Sequence, residues 1–198
     1  MTRWVAERCH VVVIDADLLG HQALQSHSVK QELRRRFGDS IFDDRGDVLR
    51  KELAHRVFGD EPEKLAGKHD LERIVHPAIQ QQTRQQIAAA NEAGFDAVLL
   101  DAAVLMEAGW QDQCDAVVYV DAPEEVRQRR VAKRNGWSVE EFRRREASQL
   151  RLVEKQRRSD VVISNGSDDS RGGQELLDFL YRRWGICCKP LSNSSQQS

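Results

Sequence analysis

Two aspartates directly follow a short apolar run near the start of the chain. Residues 11–14 are three valines and an isoleucine, typical of a parallel-sheet strand that is buried on both faces. Asp15 and Asp17 come next, where such a strand would end. In open α/β sheets ligands bind outside the carboxyl ends of the strands, so these carboxylates are candidates for chemistry on a bound ligand. The alternative is an ordinary strand-end turn, in which aspartate is common.

The same arrangement recurs further along the chain. Residues 97–100 form a second apolar run, and Asp101 follows it directly. Two more runs, 116–120 and 161–163, have the same character, and Asn165 lies just beyond the last one. Four buried-type strands separated by helical segments predict an α/β fold with a doubly wound parallel sheet.

A dense group of cations follows the third run. The predicted helix 124–134 includes Arg130 and Arg134, which are four residues apart and share a face. An Asn-Gly turn comes next, and residues 138–141 have the pattern of a capping box for another basic helix. This segment predicts a helical hairpin that closes over an anion, and the alternative is a solvated charged surface.

Helical patterns fill the long interval between the first two strands, so residues 20–94 are predicted to form a helical block. One helical pattern extends over 18–37, and Asp47 is placed to cap a helix that continues through Phe58. The residue before a proline is disfavoured in the α region. We therefore expect a break at His76, with Pro77 opening the long helix that follows.

Composition excludes some broad classes of function. The chain has 198 residues, 31% of them charged, and a formal net charge of −2, which provides no overall attraction to nucleic acid or to an anionic membrane. No apolar run approaches the roughly 18 residues of a membrane span, and no signal-peptide core is present. We therefore expect a cytoplasmic protein whose four cysteines, none in a C-x-x-C pair, are reduced thiols.

Five motifs in order resemble those of the dephospho-coenzyme A kinase family, over about residues 4–184. The matching segments are I-D-A-D at 14–17, V-H-P-A-I at 75–79, D-A-A-V-L-M-E at 101–107, V-D-A-P at 120–123 with Arg130, Arg134, Asn135 and Gly136, and the closing set Gln149, Lys155, Asp160 and Asn165. The family pattern has proline where this chain has Ala103, and usually arginine where it has Leu152.

The resemblance implies a fold similar to that of P-loop nucleoside monophosphate kinases: a three-layer, doubly wound parallel sheet with a helical CoA-binding insertion and a basic helical lid. The implied organisation is a nucleotide-binding core at 1–19, 95–126 and 156–185, an insertion at 20–94, a lid at 127–155 and a disordered tail at 186–198.

The implied reaction transfers the γ-phosphate of ATP to the ribose 3′-hydroxyl of dephospho-CoA, with Mg²⁺. The implied partner is this small molecule, with no nucleic acid or membrane, for a monomer or weak homo-oligomer. By resemblance the catalytic residues are Asp17, Asp15, Arg130 and Arg134, the ATP-binding residues are Arg130, Arg134 and Asn165, the substrate-binding residues are Asp17, His76 and Glu107, and the metal-binding residue is Asp101. Either Asp15 or Asp17 could be the base, with Asp17 preferred.

One family motif is not found. The family begins with a strand and the phosphate-binding loop G-G-x-G-S-G-K-S/T, and these 198 residues contain no such loop. Alignment places Met1 at or just after the end of that loop, so the predicted helix at 2–9 corresponds to the helix that follows it. The absent strand would lie between strands 97–100 and 116–120. We therefore expect poor stability and weak or no ATP binding, from a start codon assigned too far downstream or from a real truncation.

Three other functions remain open at this level. One is a non-enzymatic protein that binds CoA or dephospho-CoA and has lost ATP binding. Another is a different small-molecule kinase of the same superfamily, against which the ordered motifs count. The third is nucleic-acid binding by the arginine runs, which strong salt dependence would favour.

Overall fold

The computed structural model describes residues 1–59, 61–167 and 170–187. Within these ranges the strands are β1 (Val11–Asp15), β2 (Ala97–Asp101), β3 (Val118–Asp121) and β4 (Val161–Ser164). β1 pairs with β2 and β3 pairs with β4, both in parallel. The predicted parallel α/β fold is therefore confirmed, and each strand coincides with a predicted apolar run, although β3 begins two residues later than expected.

Helices connect and cover these strands. Over the described part of the chain they are α1 (Thr2–Ala6), α2 (Ala16–Ala23), α3 (His27–Phe37), α4 (Arg50–Val57), α5 (Pro62–Glu92), α6 (Glu124–Asn135), α7 (Val139–Ala147), α8 (Leu152–Arg157) and α9 (Arg171–Trp184). None of the helices described is both long enough and apolar enough to cross a membrane.

The β1–β2 pair separates two hydrophobic clusters. Ile14 of β1 belongs to a cluster that also takes in the buried faces of α2 to α5, including Leu33 and Ile79. Val11, three residues earlier on the same strand, belongs to a second cluster with α1 and α9, including Leu176. Residues three apart on a strand point to opposite faces, so β1 is the middle layer of three.

Ordered packing continues past the end of α9. Ile186 is 8% exposed and belongs to the second cluster. Of the predicted tail at 186–198, Ile186 therefore packs against the core and Cys187 is exposed, and residues 188–198 lie outside the described residues.

The predicted break at His76 is wrong, because α5 continues through Pro77 from Pro62 to Glu92. A proline inside a helix leaves the carbonyl four residues earlier without its intrahelical donor. Here that residue is Arg73, and both Arg73 and Pro77 are exposed, so water can satisfy the carbonyl. Val75 and Ile79 are buried on the other side and hold the helix against the core.

Other helix boundaries also differ from the prediction, and α1 ends at Ala6 although the prediction extends to residue 9. The pattern over 18–37 is two helices, α2 and α3, separated by a short turn in which the Ser26 N–H donates to the Ala23 carbonyl. Asp47 does not cap α4, because this helix begins at Arg50 with Leu49 at the N-cap position; the Asp47 carboxylate accepts a hydrogen bond from Lys30 Nζ at 2.7 Å. The second basic helix of the hairpin is also divided, into α7 and α8.

A close helix contact fixes α1 against α9. The indole of Trp4 lies directly on Gly173, where an added Cβ would be 2.5 Å from Trp4 Cε3. A Cβ at Gly172 would be 2.8 Å from the carbonyl oxygen of Ser164. The two glycines therefore allow α9 to approach both α1 and the end of β4.

Candidate active site

Three carboxylates, Asp15, Asp17 and Asp101, lie at the carboxyl end of the β1–β2 pair and are called here the carboxylate edge. Asp15 and Asp101 are direct neighbours in the parallel register. Asp17 is in the first turn of α2, which begins as β1 ends. Asp15 Oδ1 accepts a hydrogen bond from the backbone N–H of Leu18 at 2.9 Å and so caps this helix. The Asp15 carboxylate is thus engaged in capping α2, whereas Asp17 is exposed and lines a cleft.

Asp17 has a raised pKa although its side chain reaches solvent in a cleft. Desolvation by the surrounding protein is the largest cause, and the negative charges of Asp15 and Asp101 add to it. The positive charges of Arg134 and His21 act in the opposite direction. Asp17 therefore binds a proton more readily than an ordinary aspartate, which strengthens it as a general base.

The third carboxylate is tied to the start of the chain. The hydroxyl of Thr2 donates a hydrogen bond to Asp101 Oδ2 at 3.0 Å. Thr2 was not among the residues predicted to form the site. The one signal in the sequence was the predicted helix at 2–9, because the residue at the start of that helix would lie beside the strand ends.

A large cleft opens beside the carboxylate edge, with a volume of about 1760 Å³. It is lined by residues of both β2 and β3, and by Asp17 and Arg134. Its position between β2 and β3 is the place where the resemblance puts a further strand. Much of its wall is apolar.

The two predicted phosphate-binding arginines have different surroundings. Arg130 Nη1 donates to the carbonyl of Asn165 at 2.7 Å, and Nη2 donates to the carbonyl of Ser167 at 3.0 Å. Arg130 therefore connects α6 to the loop after β4 and shapes that loop. Arg134 donates through Nε to the Asn135 side chain and lines the cleft, near enough to Asp17 to influence its pKa.

Asn165 is fixed by its backbone in this loop. Its N–H donates to the carbonyl of Asp121 at 2.7 Å, which joins the ends of β4 and β3. The loop therefore lies at the carboxyl end of the second strand pair.

Glu107 lies in the cleft wall but is engaged by a buried lysine. Lys155 is 8% exposed, and its Nζ lies 2.8 Å from Glu107 Oε1 and 2.9 Å from both Gln149 Oε1 and the Ala103 carbonyl. Glu107 Oε1 also accepts from the Leu150 N–H at 2.9 Å. The pair thus connects the segment after β2 to the segment between α7 and α8.

His76 is separate from this group. Its ring makes an edge-to-face contact with buried Trp110, with the ring centroids 6.1 Å apart, and it is not part of the cleft lining. The structure therefore brings Asp15, Asp17, Asp101 and Arg134 together, places Glu107 on the same cleft, and leaves His76 in the packing between α5 and Trp110.

The chain is similar in sequence and in structure to known proteins. The family model for dephospho-CoA kinase matches residues 1–170. The chain belongs to the dephospho-CoA kinase family.

Individual members of the dephospho-CoA kinase family match most of the chain. A dephospho-CoA kinase of Corynebacterium diphtheriae is 37% identical over 175 residues, which is 88% of this chain and 83% of the relative. One from Syntrophotalea carbinolica is 39% identical over 171 residues, covering 86% of this chain and 79% of the relative.

Solved structures agree on the fold. A crystal structure of a Thermus thermophilus protein has a TM-score of 0.70 and 31% sequence identity, covering 87% of this chain and 85% of the other. The dephospho-CoA kinase from Campylobacter jejuni has a TM-score of 0.59 at 21% identity, covering 88% and 86%. The second match supports the P-loop kinase fold alone.

Hard oxygen donors, the ligand type that Mg²⁺ prefers, lie together at the carboxylate edge. Asp101 and Thr2 present hard oxygen atoms side by side. Among the described residues there is no cluster of three or more histidine, cysteine or acidic side chains that could hold a metal by itself. Mg²⁺ commonly takes only one or two protein carboxylates and completes its shell with water and substrate phosphates.

Proposed function

We propose that this chain provides the acceptor site and lid of an ATP-dependent dephospho-CoA kinase, which phosphorylates the ribose 3′-hydroxyl to give coenzyme A. The observation that carries the proposal is the position of Asp17, which faces the cleft beside two further carboxylates and opposite Arg134. The choice of reaction rests on membership of the dephospho-CoA kinase family. The division into a core, an insertion at 20–94 and a lid at 127–155 is part of the proposal.

Asp17 accepts or orients the proton of the 3′-hydroxyl in this scheme. Its raised pKa brings it closer to neutrality, where a general base combines ionisation with affinity for the proton. Asp15, held by the Leu18 N–H, keeps Asp17 in place through the first turn of α2. Dephospho-CoA binds along the cleft wall that includes Glu107. His76 does not contact it directly but positions Trp110, which lines the same cleft.

Phosphoryl transfer proceeds through a loose transition state, so catalysis consists mainly of positioning and charge neutralisation. Arg134 neutralises phosphate oxygens from the lid. Arg130 forms the ATP side of the site by holding the Asn165 loop through two backbone carbonyls. Asp101 and Thr2 would hold Mg²⁺, which supplies positive charge to the phosphates of ATP.

We further propose that residues 1–198 alone transfer phosphate slowly or not at all. They contain no G-x-x-x-x-G-K-S/T sequence, whose backbone N–H groups and lysine hold the phosphates of ATP. The wide cleft between β2 and β3 supports this, because it lies where a strand leading into such a loop would fit.

The test compares residues 1–198 with the same residues placed behind a designed segment that contains an apolar strand and a G-x-x-x-x-G-K-S/T loop. CoA formation from ATP and dephospho-CoA is followed by chromatography. The extended chain is expected to form CoA, and its Asp17→Asn variant should lose about 100-fold or more of the rate. Asp112→Asn, at an exposed aspartate outside the site, is the matched control.

Each result has a distinct meaning. An extended, folded chain that forms no CoA would refute the kinase assignment. Equal rates with and without the added segment would refute the proposal that residues 1–198 are impaired.

A second candidate is a binding protein that takes CoA or dephospho-CoA and does not bind ATP. It is favoured by one observation: the helices within 20–94 and 127–155 and the carboxylate edge are formed although these residues contain no phosphate-loop motif. The extended chain distinguishes the two: a kinase binds ATP in calorimetry and forms CoA, whereas this candidate binds dephospho-CoA but neither binds ATP nor forms CoA.

A further inference from the structure

Arg145 on α7 has an unusual environment among the cations of the lid. Its Cζ lies over the ring of Trp137 at 4.4 Å and over the ring of Phe58 at 4.6 Å. The side chain is 29% exposed, and desolvation lowers its pKa. Contact with aromatic faces leaves the N–H groups, which lie in the plane of the guanidinium, available at its edge.

One carboxylate orients this guanidinium without neutralising the local charge. Arg145 Nε donates to Glu141 Oε1 at 2.6 Å, and Glu141 also pairs with Arg144. The three side chains therefore carry a net charge of about +1. No residue in the described ranges accepts a hydrogen bond from either Nη atom of Arg145. Two donors on a desolvated, rigidly held cation thus remain for a ligand.

The position of Arg145 joins two parts of the molecule. Trp137 and Arg145 belong to the predicted lid, whereas Phe58 ends α4 of the insertion. A second contact lies close in sequence, where Lys68 Nζ of α5 donates to the carbonyl of Ser148 at 2.7 Å. Arg145 also lines the same cleft as Asp17. A ligand bound by Arg145 would therefore touch lid and insertion together.

We propose that Arg145, held between the rings of Trp137 and Phe58, binds the 5′-diphosphate of the acceptor nucleotide through its two Nη groups. The assignment rests on the proposed function for the choice of dephospho-CoA as acceptor. A guanidinium suits this ligand because its paired donors match two phosphate oxygens, and the aromatic contacts fix its orientation before the ligand arrives.

The test is calorimetric titration of residues 1–198 with dephospho-CoA, inorganic pyrophosphate and ATP at constant ionic strength. Arg145→Ala is expected to weaken binding of dephospho-CoA and pyrophosphate by about 10- to 100-fold, the usual range for a lost charge-assisted pair. Arg145→Lys should lose less, because it keeps the charge but not the paired donors. Arg144→Ala is the matched control: it is on the same helix and pairs with the same glutamate, but is 53% exposed, and it should change affinity by no more than about twofold.

Variants are compared only if their unfolding temperatures stay close to that of the parent, and Arg145→Lys replaces Arg145→Ala if the latter does not fold. Unchanged affinity for both dephospho-CoA and pyrophosphate would overturn the inference and leave the proposed function standing. A loss confined to ATP would also overturn it. Arg145-dependent pyrophosphate binding without dephospho-CoA binding would keep the anion site and refute the proposed acceptor.

Discussion

Replacing Lys155 with methionine tests whether its buried ion pair with Glu107 holds α8 to the segment after β2. Lys155 is 8% exposed and its ammonium group has three acceptors, each within 2.9 Å. Methionine keeps most of the length of the side chain but removes the charge. Glu107 then stays in the protein with the Leu150 N–H as its remaining partner, while its Oε2 already has none among the described residues.

The cost follows from the geometry of the pair. Removing one partner of a buried ion pair destabilises a protein by about 3–5 kcal/mol, because the remaining charge is left uncompensated. The Glu107 side chain is 19% exposed, so some water reaches it and the lower end applies, about 3 kcal/mol. For a domain of this size, that corresponds to a fall in Tm of about 6–12 °C.

Urea unfolding followed by circular dichroism measures this loss. Arg158→Ala is the matched control, since its Nε lies 2.8 Å from Glu154 but both side chains are more than 40% exposed. Exposed pairs of this kind contribute about 0.5 kcal/mol or less. A Lys155→Met loss no larger than the Arg158→Ala loss would refute the assignment of the pair as a structural connection. Glu107→Gln combined with Lys155→Met removes both charges and should recover much of the stability.

Two further outcomes are expected. Asp17→Asn should raise Tm at pH 7, because it removes a desolvated carboxylate that Asp15 and Asp101 repel. The folded-state pKa of Asp17 lies above its unfolded value, so wild-type stability falls as the pH rises from the unfolded pKa through the folded one. The gain in Tm from Asp17→Asn should therefore vanish below about pH 4, where the carboxyl is protonated in both states. Tm measurements over a pH series test this. A constant gain at every pH would contradict this cause. Arg35→Ala should change the free energy of unfolding in urea by less than about 0.5 kcal/mol, because its pair with Glu32 is largely exposed, and a larger change would mean that the arginine run has a structural role.

The strands could be predicted because short runs of buried β-branched residues have few other stable placements. For the same reason the sequence correctly indicated that Asp15 and Asp101 follow strands. The break expected at His76 does not form, because Pro77 lies on a solvated helix face, which the rule for the residue before a proline does not take into account. Tertiary packing of Val75 and Ile79 outweighed the backbone preference.

Side-chain roles were predicted less well where they depend on distant partners. Arg130 was identified from its spacing as a cation in the lid, but its donation to the Asn165 carbonyl joins residues 35 positions apart. The same holds for Lys155 with Ala103, which are 52 positions apart. A single sequence shows which residues carry charge, but a contact over such a separation is fixed only when the strands and helices have packed.

The contact between Trp4 and Gly173 has a consequence for the far end of α1. The indole occupies the space where any side chain at position 173 would begin, so the sizes of residues 4 and 173 constrain each other. Helix α1 also carries Thr2, whose hydroxyl reaches Asp101. Gly173→Ala would push Trp4, and α1 with it, away from α9, and would therefore separate Thr2 from Asp101. A smaller residue at position 4 in the same chain would make room for the added methyl group and leave the Thr2–Asp101 contact in place. The absence of a side chain at Gly173 in α9 therefore helps to keep the Thr2 hydroxyl beside the Asp101 carboxylate at the end of β2.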